Sequence, residues 1–127
     1  MSAQQETNKA LVIDLLHKAF NEKNPQAAAE LLTDRYIQHS PPVPTGKEGF
    51  LQAVPGVYAV FPNMKVEVKH IWADGDYVIT HSLYQFTPDG PGTAIVDIFR
   101  IENGKVDEHW DVAQEIPAQM AHNNGMF

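Results

Sequence analysis

The sequence predicts an α+β domain in which helices come first and a meandering antiparallel sheet follows. Apolar residues recur at helical spacing as far as Phe61, whereas from Asn63 onward the hydrophobic pattern alternates with a period of two. Turn-forming segments at 74–76, 87–92 and 102–104 divide this second half into four strands. Helices followed by a run of strands are typical of a sheet that carries its helices on one face.

Three helices are predicted before these strands. The first covers about residues 5–22 with one apolar stripe. The second starts at Asn24-Pro25, a favoured N-cap followed by a favoured first helical residue, and runs to about residue 33. The third opens at a capping-box pattern, residues 45–48, and Pro55 is expected to kink or break it. Between the second and third helices, residues 35–40 form a short extended segment before a stiff proline loop.

The four strands of the second half are predicted at residues 64–72, 77–86, 93–101 and 105–116. The third of them is apolar on both faces, because Ile95 and Phe99 on one side are matched by Val96 and Ile98 on the other. A second buried surface is therefore expected, and a homodimer packed through the outer sheet face is the preferred interpretation. A deeply buried central strand would give the same pattern.

The whole chain, residues 1–127, is interpreted as one domain with a single core. Its formal net charge of −7 disfavours nucleic acid and anionic membranes as partners, because both select clustered Lys and Arg. The absence of cysteine excludes disulfides and thiolate metal sites. No apolar run approaches the ~18 residues of a membrane span and no signal-peptide pattern is apparent, so a cytoplasmic protein is expected.

The turn at 102–104 decides which side chains of the last two strands share a face, because a slip of one residue exchanges the two faces. A two-residue Asn-Gly loop would place Asp97 opposite Trp110 and leave His109 and Asp111 on the other face. A three-residue loop closed by a bulge would place Asp97 opposite His109 and bring Asp111 to the same face. The three-residue loop separates polar from apolar residues more cleanly and is favoured, while the two-residue loop stays a serious alternative.

Asp97 is the most informative residue for function, because a carboxylate in the middle of an apolar strand is costly to bury without partners. Burial beside a second carboxylate, Asp111, favours the protonated form, which can act as a general acid or donate a hydrogen bond to an oxyanion. His109 would orient Asp97, and His39, at the edge of the proline loop, is a candidate general base. The alternative for Asp97 is an ion pair with His109 or Arg100 that serves packing alone. The alternative for His39 is an ordinary surface position.

An apolar substrate pocket is expected around these groups, and the residues predicted to line it are Tyr36, Trp72, Ile79, His81 and Phe99. Core packing is the alternative for His81 and Trp72. No metal and no cofactor are predicted, because the spacings HxxxH and HExxH are absent and the HxD of residues 109–111 is weak on its own. GxSxG, P-loop and GxGxxG patterns are also absent, which argues against nucleophile-elbow hydrolases and nucleotide binders.

Three motifs occur in an order that resembles the nuclear-transport-factor-2-like superfamily and, within it, the SnoaL-like polyketide cyclases. They are YIQHSPPVPTGKEGF (36–50), VDIFRIENGKVDEHWDV (96–112) and the tail ending NNGMF. The resemblance covers essentially the whole chain and extends to a bacterial group described as SnoaL-like aldol-condensation enzymes. It implies a cystatin-like cone, in which a curved antiparallel sheet wraps the helices around a pocket, and dimers formed through the outer sheet face.

The resemblance also implies roles for individual residues. In SnoaL-like cyclases an acidic residue is the general acid and base of an aldol closure without cofactor or metal, and the last-strand carboxylate of this sequence, Asp111, is its nearest match. Ketosteroid isomerases of the same superfamily have a neutral, hydrogen-bond-donating aspartate, which corresponds to Asp97. Their general base lies in a segment similar to YIQHSP, where this chain has His39. Their oxyanion-hole tyrosine has no counterpart near Leu16, which argues against isomerase activity.

The leading hypothesis is a cofactor-free acid–base enzyme that enolises a small carbonyl or polyketide-like substrate for aldol condensation, cyclisation or isomerisation. In this hypothesis His39 removes the proton, Asp97 stabilises the enolate oxygen with His109 orienting it, and Asp111 is the second acid or base. The alternative is a non-catalytic dimeric domain that binds a small hydrophobic ligand. A domain whose main role is dimeric assembly is a third interpretation.

Overall fold

The computed structural model describes residues 2–127, which form three helices and a five-stranded sheet. The helices are α1 (Ala3–Leu16), α2 (Pro25–Ala29) and α3 (Gly46–Val60), and a π-helical turn (His17–Asn21) extends α1. The strands are β1 (Leu32–Gln38), β2 (Lys65–Asp74), β3 (Tyr77–Gln85), β4 (Thr93–Glu102) and β5 (Lys105–Glu115). Their order in the sheet is β1-β5-β4-β3-β2, with β1 parallel to β5 and the other pairs antiparallel. The predicted α+β class is therefore confirmed.

The first two helices each begin after a residue whose side chain forms an N-cap hydrogen bond. Ser2 caps α1 in a reciprocal capping box, and the Asn24 side chain caps α2 as predicted. The second helix ends at Ala29 and not near residue 33, because the chain enters β1 at Leu32 and joins the sheet. Within residues 2–127 none of the helices is both long and apolar enough to cross a bilayer.

Two details of α3 differ from the prediction. The Thr45 hydroxyl makes no capping hydrogen bond and instead accepts one from the backbone N–H of Gln38, at 3.1 Å, which ties the proline loop to β1. Pro55 does not end the helix, which continues well beyond it. Burial of Phe50 and Val54 against the core holds α3 together across the proline, since tertiary packing supplies most of the stability of a helix in a protein.

The sheet has an inner face that packs against the helices and an outer face that points away from them. Side chains alternate between the two faces along each strand, and the buried ones on β3 belong to the inner face, as do those on β4 apart from the small Ala94. The principal core lies between this inner face and the helices. Its buried members are Val12, Leu15, Leu16, Ala19, Ala28, Ala29, Leu32, Tyr36, Phe50, Val54, Val78, Phe99, Ile101 and Val106.

The hairpin between β4 and β5 closes with the two-residue loop, so the favoured three-residue loop is wrong. Glu102 pairs with Lys105, and the φ angles of Asn103 and Gly104, 52° and 78°, are both positive. Positive φ at both central residues defines a type I′ turn, for which Asn-Gly is the preferred sequence. The local turn chemistry therefore outweighs the segregation of polar and apolar residues that favoured the longer loop.

A β-bulge then shifts the pairing of β4 with β5 by one residue. Ile101 pairs with Val106 and Arg100 with Glu108, which leaves Asp107 as an extra residue on β5. Beyond the bulge every side chain of β5 lies on the face opposite to the one that the two-residue loop alone would give. Asp97, His109 and Asp111 consequently share the inner face.

The bulge residue, Asp107, is fully buried and is neutralised by two arginines. The Thr33 hydroxyl donates to it at 2.7 Å, Arg35 donates from Nε and Nη2 at 3.0 and 2.7 Å, and Arg100 donates from β4. The hydrogen bonds from Arg35 hold the pKa of Asp107 well below its usual range, Thr33 and Arg100 lower it further, and burial opposes them. This cluster joins β1, β4 and β5 at the bulge.

The outer face carries apolar residues that remain in contact with solvent. Ile98 of β4 is half-buried, whereas Trp72 and Val112 are 53 and 70 % exposed. The ring of the C-terminal Phe127 packs against His81 with a centroid distance of 4.8 Å. Both faces of β4 are therefore apolar, as the sequence suggested, and the outer one is a candidate contact surface.

Candidate active site

A cavity of about 110 Å³ lies between the inner face of the sheet and the helices. Most of its wall is apolar, and its polar side chains gather on β1, β4 and β5. The lining residues are Leu15, Leu16, Ala19, Phe20, Tyr36, Gln38, Ser40, Val43, Phe50, Val54, Tyr84, Ile95, Asp97, Phe99, His109 and Asp111. An apolar pocket with a few convergent polar groups is the usual form of a small-molecule site.

Strand pairing brings the ionisable groups of this cavity together. Asp97 on β4 lies directly opposite Asp111 on β5, and Gln38 at the end of β1 is the register partner of His109. One nitrogen of His109 and one carboxylate oxygen from each of Asp97 and Asp111 lie within 4.8 Å of one another. The structure places these three predicted site residues around one pocket, and their chemical roles stay predictions.

Asp97 is almost completely buried and has a partner on each carboxylate oxygen. His109 Nε2 lies 2.7 Å from Oδ1, and the Tyr84 hydroxyl donates to Oδ2 at 2.7 Å. Burial raises the pKa of Tyr84 well above its usual value and the charge of Asp97 raises it further, so this phenol keeps its proton. The cost of burying a carboxyl in the middle of an apolar strand is therefore offset by two short hydrogen bonds.

Tyr36 places a second phenol in the cavity. Its oxygen accepts a hydrogen bond from Gln38 Nε2 at 2.9 Å. Burial raises the pKa of Tyr36 far above the ordinary value, and the charges of Asp97 and Asp111 add to this effect. Tyr36 therefore remains a neutral phenol whose own O–H is available to donate to a bound molecule.

Asp111 is the most accessible carboxylate of the cavity. It is partly exposed, and its Oδ2 accepts a hydrogen bond from the Ser40 hydroxyl at 2.8 Å. Among residues 2–127 its other oxygen has no hydrogen-bond partner, so Asp111 can accept a proton without first breaking a contact.

His39, the predicted general base, does not reach this cavity. Its ring lies on the outer face, stacked on Trp110 with a centroid distance of 4.9 Å and an interplanar angle of 3°. Its Nε2 lies 2.6 Å from an oxygen of Glu108, and this contact holds the pKa of Glu108 below its usual value. Alternation along β1 explains the correction, because Gln38 and the neighbouring Ser40 face inward and His39 between them must face outward.

Three of the predicted pocket residues also lie on the outer face, whereas Tyr36 and Phe99 line the cavity as expected. On β3, Thr80 pairs with Asp97 and faces inward, so its neighbours Ile79 and His81 must face outward. Trp72 is turned outward by a bulge in β2 at Lys69, where the pairing shifts between Val68 and His70.

Gln38, Ser40 and Tyr84 are cavity residues that the sequence analysis did not select. A signal for two of them was present, because the period of two, applied from Tyr36, assigns Gln38 and Ser40 to the same face. Tyr84 could be assigned only after the pairing of β3 with β4 was known, since both faces of its own strand mix polar and apolar residues.

Within residues 2–127 the cluster of side chains that could hold a metal ion consists of Asp97, His109 and Asp111. A divalent cation on His109 Nε2 would have to replace the hydrogen bond to Asp97, and Asp97 would have to keep its bond to Tyr84 while ligating. The existing contacts already satisfy both side chains without an ion.

Several solved structures have a similar fold. A protein assigned as a SnoaL-like polyketide cyclase from Jannaschia sp. CCS1 superposes with a TM-score of 0.76 at 18% identity, covering 89% of each chain. AclR from Streptomyces galilaeus, assigned as a hydroxylase, has a TM-score of 0.74 at 22% identity, covering 87% of this chain and 90% of its own. An NTF2-like protein from Cytophaga hutchinsonii has a TM-score of 0.70 at 18% identity, covering 84% of this chain and 89% of its own.

At these identities the likeness establishes the fold, a curved α+β cone of the nuclear-transport-factor-2 type, and leaves the activity open. No protein of curated function matches the sequence significantly. The family model for SnoaL-like polyketide cyclases matches residues 10–121, which is most of the chain. The protein therefore belongs to the SnoaL-like polyketide cyclase family.

Proposed function

We propose that the protein is a cofactor-free acid–base enzyme that enolises a small carbonyl compound and promotes an aldol-type carbon–carbon bond formation or a related isomerisation. The observation that supports this most directly is the coexistence, in one apolar cavity, of a free carboxylate oxygen on Asp111 and a free phenolic O–H on Tyr36. Enolisation needs both a base for the α-proton and a hydrogen-bond donor for the developing oxyanion.

Asp111 is the base in this mechanism and replaces His39 in that role. Its unpartnered oxygen takes a proton from the carbon next to the substrate carbonyl, while Ser40 holds the other oxygen in place. The electron pair of the C–H bond moves into the C–C bond of the enolate, and negative charge develops on the carbonyl oxygen. A positioned carboxylate of this kind contributes a rate factor of about 10²–10⁴.

Tyr36 stabilises the enolate oxygen through its O–H, which the raised pKa keeps protonated. The buried Asp97–His109 pair lies beside Asp111 and fixes the geometry of the polar end of the cavity. In an aldol step the enolate carbon attacks a second carbonyl carbon, a C–C bond forms, and Asp111 returns its proton to the new alkoxide. The proton balance closes without any co-reactant.

The size of the cavity favours a compact substrate. A closed apolar cavity of about 150 Å³ binds benzene, so about 110 Å³ suits a carbonyl compound of no more than one ring. We expect the enzyme to catalyse α-proton exchange of cyclopentanone in D₂O, followed by NMR, with kcat/KM at least about tenfold above that for the fused-ring ketone α-tetralone. Equal or faster exchange of α-tetralone would overturn the compact-substrate expectation. Saturable binding of cyclopentanone without exchange would favour the ligand-binding alternative.

Dimerisation through the outer face is part of the same proposal. Trp72, Tyr77 and Val112 are exposed apolar residues on this face, and a charge placed among them should prevent close packing. We expect the wild-type protein to have the mass of a dimer in size-exclusion chromatography with light scattering, and Val112→Glu to have that of a monomer. Val60→Glu is the matched control, because Val60 is 68 % exposed on α3, and it should stay dimeric. A monomeric wild-type protein would refute this assembly.

A further inference from the structure

Gln38 contacts three groups of the cavity at once. Its Oε1 accepts a hydrogen bond from the backbone N–H of Ser40 at 3.0 Å and lies 2.7 Å from His109 Nδ1. Its Nε2 donates to the Tyr36 oxygen at 2.9 Å. One amide side chain therefore touches both the imidazole of the buried pair and the phenol that faces the substrate.

The orientation of this amide follows from its contact with the backbone. A backbone N–H can only donate, so the atom of Gln38 that faces Ser40 must be the carbonyl oxygen. The same oxygen faces His109 Nδ1, and an oxygen of this kind cannot donate. Nδ1 of His109 must therefore carry a hydrogen.

The position of a second hydrogen follows from the first. Because Nδ1 is protonated, the short contact between His109 Nε2 and Asp97 Oδ1 contains one further proton, on either the nitrogen or the oxygen. Both arrangements leave the pair without net charge. A neutral Asp97–His109 pair next to Asp111 is less repulsive to a negatively charged base and enolate than an isolated carboxylate would be.

The contact between Gln38 and Tyr36 determines where the phenolic hydrogen of Tyr36 can point. Because the Tyr36 oxygen already accepts from Gln38 Nε2, its own O–H must point elsewhere. Among residues 2–127 that O–H has no acceptor, and the residue lines the cavity. A bound carbonyl oxygen would be its natural partner.

We propose that Gln38 is a positioning residue of the site. It holds His109 in the form protonated on Nδ1 and turns the Tyr36 O–H toward the substrate. Gln38 touches no reacting atom and acts only through these two neighbours. Its kinetic effect rests on the proposed function, whereas its effect on the protonation of His109 does not.

Two variants separate the two roles. Gln38→Glu keeps an acceptor for Ser40 and His109 but replaces the amide donor, so the Tyr36 O–H would turn toward the new carboxylate. Gln38→Met keeps the length of the side chain and removes both interactions. Gln26→Met is the matched control, because Gln26 is exposed on α2, away from the cavity.

The measurements are ¹⁵N NMR of the His109 ring at pH 7 and α-proton exchange of cyclopentanone. We expect a protonated Nδ1 in the wild-type protein and in Gln38→Glu, and loss of this fixed state in Gln38→Met. We expect kcat to fall about 10- to 100-fold in both variants, with little change in KM, and to be unaffected in Gln26→Met.

An unprotonated Nδ1 in the wild-type protein would overturn the proposal, as would unchanged His109 nitrogen shifts and unchanged kcat in Gln38→Met. If the wild-type protein catalysed no exchange, the proposed function would fail, but the NMR spectra would still decide whether Gln38 fixes the protonation of His109. Amide dispersion in the NMR spectra of each variant reports folding, and the near-isosteric Gln38→Glu supports the conclusion if Gln38→Met is unfolded.

Discussion

Asp111→Asn is expected to lower kcat for α-proton exchange by about 10²–10⁴-fold, the usual contribution of a positioned general base. The asparagine oxygen can still accept the hydrogen bond from Ser40, so the side chain should keep its place while losing its ability to take a proton. KM should change little, because the interaction is made in the transition state. The measurement is exchange of cyclopentanone in D₂O, with folding followed by circular dichroism.

Glu115→Gln is the matched control for this substitution, because Glu115 is an exposed acid on the same strand, outside the cavity. It should retain wild-type activity. His39→Ala should also retain most of the activity, since its ring stacks on Trp110 on the outer face. A loss of activity in His39→Ala together with an active Asp111→Asn would return the role of base to the histidine.

Asp107→Asn is expected to cost about 2–3 kcal/mol of the free energy of unfolding, toward the lower limit for breaking a buried ion pair because Arg35 is largely in contact with solvent. An asparagine would keep one acceptor and turn an N–H₂ group toward the arginine donors of Arg35 or Arg100. For a chain of this size the loss corresponds to roughly 10 °C in Tm. Urea denaturation and thermal unfolding measure it.

The control for Asp107→Asn is Asp34→Asn, which removes a fully exposed carboxylate paired with Lys47 and should leave the free energy of unfolding nearly unchanged. The difference between the wild-type protein and Asp107→Asn should also depend on pH. Because the pKa of folded Asp107 is depressed, its contribution is fully present above the unfolded value of about 4 and declines as the pH falls below it. A difference that persisted undiminished at pH 2 would refute this origin of the stability.

The helices and strands could be predicted from the sequence because local rules determine them. Asn24 caps a helix and Asn103-Gly104 closes a hairpin through contacts among neighbouring residues, and the period of two identifies the strands. Asp97 could be identified because a carboxylate in an apolar strand requires partners. Such arguments need no knowledge of how distant segments meet.

The faces of the strands could be predicted only in part. The bulges at Lys69 and Asp107 each exchange the inward-facing and outward-facing positions of the strand beyond them. No single residue type predicts a bulge from the sequence. Plain alternation along β2 therefore predicts the wrong face for Trp72, whereas the three-residue loop, although wrong, predicts the correct shared face for Asp97 and His109. The prediction that His39 is a general base in the pocket is wrong for another reason. Alternation from the inward-facing Tyr36 assigns His39 to the outer face without any knowledge of a bulge.

The extra residue at Asp107 has a consequence for comparing this chain with its relatives. A hairpin with a three-residue turn and no bulge would present the same inward-facing residues as this hairpin, which has a two-residue turn and a bulge. The two hairpins have the same number of residues, but the extra residue lies in the turn of one and in the strand of the other. Alignments through this hairpin therefore need compensating gaps, because between the turn and the bulge a match by position alone would pair inward residues of one chain with outward residues of the other.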